Sequence, residues 1–174
     1  MTAMQPTVRI VLFLLIGVSF FSCDEGNYFN DYKTVNASVV IPDTAGISDT
    51  LEVRSEDLAS RDVDNEGSTV WITVNKLEMA IESPQSATFD NLEFLEVYLI
   101  NNSEQEKIAW MNASSGTNLS NIELSVREES VNSLFNESHY HFIIKTKLKK
   151  SLEADWSLRL TCKFKIERSD PHFV

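Results

Sequence analysis

The chain has 174 residues, enough for one domain of ordinary size and too few for two comfortable ones. With 43% apolar and 24% charged residues, five glycines and four prolines, it is neither collagen-like, low-complexity nor wholly disordered, and two cysteines exclude a disulfide-built scaffold. A net charge of −11 repels a phosphate backbone and argues against a nucleic-acid partner.

Residues 1–22 carry one charged side chain, Arg9, followed by the apolar run from Ile10 to Phe21. As a helix that run rises roughly 18 Å, short of the ~30 Å hydrocarbon core of a bilayer. A positive start and a short apolar middle are the layout of a secretory signal peptide. The run ends at Ser22-Cys23, with Asp24-Glu25 directly behind.

Ser22-Cys23 at this place resembles the lipobox of bacterial lipoproteins, with Phe20 and Phe21 where the strict pattern has leucine and a small residue. The looser box, with acids soon after the cysteine, is similar to that of Bacteroidetes-type lipoproteins. The resemblance covers only the first 23 residues. It implies that Cys23 is lipidated and becomes the mature N-terminus, and that the protein is displayed from the outer membrane at the cell surface. The membrane is then the first partner, because several acyl chains hold a protein where one gives only marginal binding. Without Arg9, 14 basic side chains face 26 acids, net −12. Residues 23–32 read as the lipidated cysteine and a polar tether, and residues 33–174 as one domain.

From Lys33 onward the dominant period is two, the signature of strands with one face buried. Val35, Ala37, Val39 and Ile41 alternate with polar residues; residues 42–48 form a turn-rich loop, and Leu51 and Val53 mark a short strand. Residues 55–67 are acidic and irregular. Val70, Ile72 and Val74 then alternate until the parity slips to Leu77, Met79 and Ile81. The slip predicts a bulge at Asn75-Lys76 within one long strand, ended by Ser83-Pro84. Residues 94–100 (FLEVYLI) read as a central strand covered on both faces. Residues 107–111 and 122–126 are further short strands. Val131, Leu134 and Phe135 form a helical stripe behind acids, predicting one short helix over residues 128–136. Tyr140 to Leu148 and Trp156 to Ile166 read as a closing hairpin, joined by residues 149–155. Strands without intervening long helices predict an all-β, antiparallel, immunoglobulin-like β-sandwich of about eight strands with that one short helix.

The residues that carry chemistry are few. His139 and His141 lie two apart on a strand and read as solvated strand-face histidines, since a zinc site wants three or four protein ligands. Asp62 to Gly67 opens like a calcium loop, but the twelfth position of an EF-hand is Thr73, not glutamate. No nucleophile elbow, phosphate loop or dinucleotide turn is present, so no enzyme and no cofactor is expected. Cys162, on an apolar strand position, reads as a small core residue.

Residues 139–168 hold eight basic and three acidic side chains, while the rest of the mature chain is strongly acidic. By alternation Lys145, Lys147, Arg159, Lys163 and Lys165 face away from the apolar set. They predict a basic stripe that either docks an anionic glycan, a lipid headgroup or an acidic envelope protein, or pairs with acids on neighbouring strands. Trp71 also lies opposite its strand's apolar set, where an exposed ring can stack a sugar. The expected role is a non-enzymatic, lipid-anchored binding or assembly module; the alternative is a glycan-binding accessory protein.

Overall fold

The computed structural model describes residues 28–47, 50–60, 69–111 and 119–169. Cys23 and the Asp62 to Gly67 loop lie outside them. The strands are β1 (Tyr28–Ile41), β2 (Leu51–Arg54), β3 (Leu58–Ala59), β4 (Thr69–Ser83), β5 (Leu92–Ile100), β6 (Gln105–Trp110), β7 (Asn121–Glu123), β8 (Ser125–Val126), β9 (His139–Leu148) and β10 (Trp156–Ser169). A four-stranded sheet runs β1-β10-β4-β7, and a six-stranded sheet runs β2-β9-β5-β6-β8 with β3 also on β9. All pairings are antiparallel, and the two sheets form a β-sandwich.

Alternation decides which face of each strand is buried. β1 contributes Val35, Ala37, Val39 and Ile41 to the core, and β10 contributes every second residue from Leu158 to Ile166. From the other sheet Leu95, Val97 and Leu99 of β5 and Phe142 and Ile144 of β9 face them. The bulge in β4 falls where the parity slips: the register with β10 shifts between Lys76↔Lys163 and Val74↔Phe164, leaving Asn75 as the extra residue. That one residue keeps both Ile72/Val74 and Leu77/Met79/Ile81 inside.

The pairing is nested. β1 pairs with β10, β2 with β9, β4 with β7 and β5 with β6. These paired strands follow one another as a two-stranded ribbon, turned at residues 101–104 and wrapped so that successive pairs alternate between the sheets. Phe135 packs edge-on to Tyr140 at 4.9 Å and to Phe164 at 5.3 Å, closing one end of the sandwich.

Five expectations about the strands, helix and tether need correction. β9 and β10 are not a hairpin, because they lie in opposite sheets; residues 149–155 arch over the sandwich end with Leu152 buried. The helix over residues 128–136 is one 3-10 turn, Asn132–Phe135. Ser130 donates to Asn132 Oδ1, which also accepts the Ile72 amide, and such local bonds compete with a helix already too short to nucleate. Residues 122–126 are two strands: after β7 the chain crosses between sheets at buried Leu124, whose amide donates to the Leu77 carbonyl. The outer face of β5 is half-exposed, and among the described residues no second layer covers it. Lastly, residues 28–32 of the expected tether belong to β1, paired backbone to backbone with the end of β10.

Candidate functional site

The outer face of the four-stranded sheet carries Trp71, Arg159, Lys163 and Lys165. Antiparallel register sets the rows: Asn30, Glu167 and Trp71 across β1, β10 and β4, then Tyr32, Lys165 and Thr73. Trp71 is 51% exposed and Tyr32 45%. The two rings flank β10 from either side, about 9–10 Å apart laterally by strand spacing. Lys163 Nζ sits 4.4 Å from the centre of the Tyr32 ring, a cation–π contact. Lys165 Nζ bonds Glu167 Oε1 at 2.6 Å, which raises the lysine above its ordinary pKa. Arg159, further along β10, pairs with Glu82 at 3.0 Å.

Lys145 and Lys147 are on β9, so they point outward from the six-stranded sheet, away from the other three. The expected basic stripe is therefore divided between the two outer faces. Alternation is the same whether two strands pair in one sheet or face each other across the core, so parity alone merged them. Lys145 pairs with Glu52 at 3.3 Å and Lys147 with Glu93 at 2.8 Å. Of the five, Lys145, Lys147 and Arg159 pair with carboxylates on neighbouring strands, Lys165 with Glu167 on its own strand, and Lys163 and Lys145 lie over the rings of Tyr32 and Tyr98.

Sequence reasoning missed a second exposed tryptophan, Trp110 at the end of β6, 37% exposed. It lines two adjoining recesses of the six-stranded face. One, about 250 Å³, is bounded by Phe94, Leu95, Glu96, Lys107 and Met111. The other, about 550 Å³, is bounded by Val126, Arg127, Glu128 and Glu129. Glu96 accepts from Tyr98 Oη at 2.8 Å and from Lys107 Nζ at 3.0 Å, and these two bonds hold its carboxyl below the usual range. Burial and the bond to Glu96 push the Tyr98 phenol up. Arg127 bridges Glu129 at 2.7 Å and Glu106 at 3.0 Å. Alternation could not find this cluster. Lys107 and Trp110 are an odd number of residues apart, and a register shift against Val97/Tyr98 brings both to the outer face.

His139 is exposed, but His141 is buried, a correction to the solvated pair. Arg54 donates to His141 Nδ1 at 2.9 Å, and Asp57 Oδ1 lies 3.6 Å away. Burial first, then the Arg54 charge, pulls the imidazole pKa down. Neutral imidazole with Nδ1 accepting is the consistent state. Among the described residues no group of three or more His, Cys, Asp or Glu side chains is placed to hold a metal ion. Cys162 is fully buried, and burial pushes its thiol pKa up.

No protein-family model matches the chain, and no curated protein matches it with significant similarity.

Proposed function

We propose that the protein is a lipid-anchored, non-enzymatic binding module of a bacterial cell envelope, held by acyl chains on Cys23 at the outer membrane and facing the cell surface. The observation that carries the binding role is the presence of two exposed tryptophans, Trp71 and Trp110, on opposite outer faces of a well-packed sandwich. Large exposed rings supply contact area at low entropic cost and are enriched where proteins bind partners. The nested pairing supports a jelly-roll winding over the immunoglobulin-like order, in which the first two strands are neighbours in one sheet.

A second reading, glycan capture, is favoured by the Trp110 recess. It offers an indole face, an apolar wall at Leu95 and Met111, and convergent donors and acceptors from Lys107, Glu96 and Arg127. That mixture suits a polyhydroxylated ligand with apolar ring faces.

A panel of envelope glycans and acidic envelope proteins, probed with the acylated protein, separates these readings. Glycan binding abolished by Trp110→Ala or Trp71→Ala supports capture of sugar at that ring. Salt-sensitive protein binding lost in the Lys163→Glu, Lys165→Glu double variant supports protein docking. Binding indifferent to all of these changes contradicts both faces as sites.

A further inference from the structure

We infer that the Trp71 end of the four-stranded sheet is a membrane-contact surface, which seats the domain on the bilayer and turns the Trp110 face outward. The inference rests on the proposed anchor at Cys23.

Its first support is the length of chain between anchor and fold. β1 begins at Tyr28, five peptide steps from Cys23, so covalent geometry limits the separation to about 17–18 Å. The row holding Trp71 is two residues along β1 from that entry point, about 7 Å, and the Tyr32 row is two residues further. The surface nearest the acyl chains is therefore this end of the sheet.

The second support is its chemistry. Trp71 and Tyr32 are amphipathic rings of the kind that settle at the headgroup level of a bilayer. On β10, between their two strands, Lys165 stands in the Tyr32 row and Lys163 one row further on, with long apolar stems and cationic ends suited to phosphate headgroups. Among the described residues, Glu167 is the one acid in this pair of rows, in a mature chain of net charge −12. The opposed sheet, with Trp110, then faces away from the lipid.

Bilayer-reconstituted full-length protein, with its mass measured first, tests this in vesicles of phosphatidylcholine brominated near the headgroup. Trp71 emission should be quenched while Trp110 is spared. Trp71→Phe should remove most of the quenchable emission, and Trp110→Phe should retain it. An acylated protein whose quenching is unchanged by Trp71→Phe, or is lost in Trp110→Phe, overturns the contact surface while leaving the anchor standing. A mass without acyl chains overturns the anchor and this inference with it. Vesicles bearing anionic lipid add an independent readout: Lys163→Glu with Lys165→Glu should reduce Trp71 quenching, and no reduction contradicts the role of the lysines.

Discussion

Cys162 and His141 show how burial changes chemistry that composition leaves ambiguous. The Cys162 thiol sits in the core with its pKa raised, so little thiolate forms and no reagent reaches it. Thiol labelling of the folded, acylated protein should be negligible and should appear at the rate of unfolding; rapid stoichiometric labelling under native conditions contradicts the packing. For His141 the sign is set by a folded pKa below the unfolded value of about 6.5. Above about pH 7.5 both states are neutral and stability is complete. As pH falls through 6.5 the unfolded chain takes up the proton first, so stability falls until the lower folded pKa is reached. Urea unfolding at pH 7.5 and pH 5.5 should show this loss, and His141→Gln, which preserves an acceptor for Arg54, should flatten it. Glu96, whose carboxyl is held low by Tyr98 and Lys107, acts in a separate window below about pH 4.5.

At the scale of the strand, one residue controls a face. Deleting Asn75 removes the bulge and sends Leu77, Met79 and Ile81 outward; exposing each costs about 1.5–3 kcal/mol, together a large part of the ~5–15 kcal/mol that holds a domain. The deletion should leave no cooperative unfolding transition by circular dichroism, whereas Asn75→Ala should stay folded. Leu160→Ala, in the buried centre of β10, should cost about 2–5 kcal/mol in urea titration. The bulge was legible in the sequence because a hydrophobic pattern crosses it. Strand existence and the outward aim of Trp71 were legible for the same reason. The start of β1 was not, since the inward, half-buried position holds Asp31 and the ring of Tyr32 is exposed, so no apolar alternation marks them. Nor was the Trp110 cluster, where a bulge reverses the parity. Sheet membership of β9 and β10 was beyond any period, because facing strands and paired strands bury the same set.

The whole molecule is tied together by its ends. β1 and β10 pair along fourteen residues, so the first and last described strands must meet before the four-stranded sheet exists. Loop closure over most of the chain precedes the contacts that reward it, and refolding should take milliseconds to seconds, as for other non-local β topologies. Stopped-flow Trp fluorescence measures this, and microsecond refolding contradicts the nested pairing as the route to the native state. The strand that opens the described fold starts five peptide steps from the proposed anchor, so the proposed place and the proposed pose both depend on Cys23. The most direct test is intact-mass and N-terminal peptide spectrometry of the protein from its native envelope. The account predicts a chain beginning at Cys23 with the mass of a diacylglyceryl group and an N-acyl chain. An unmodified thiol at Cys23, or a mature start elsewhere, would contradict it.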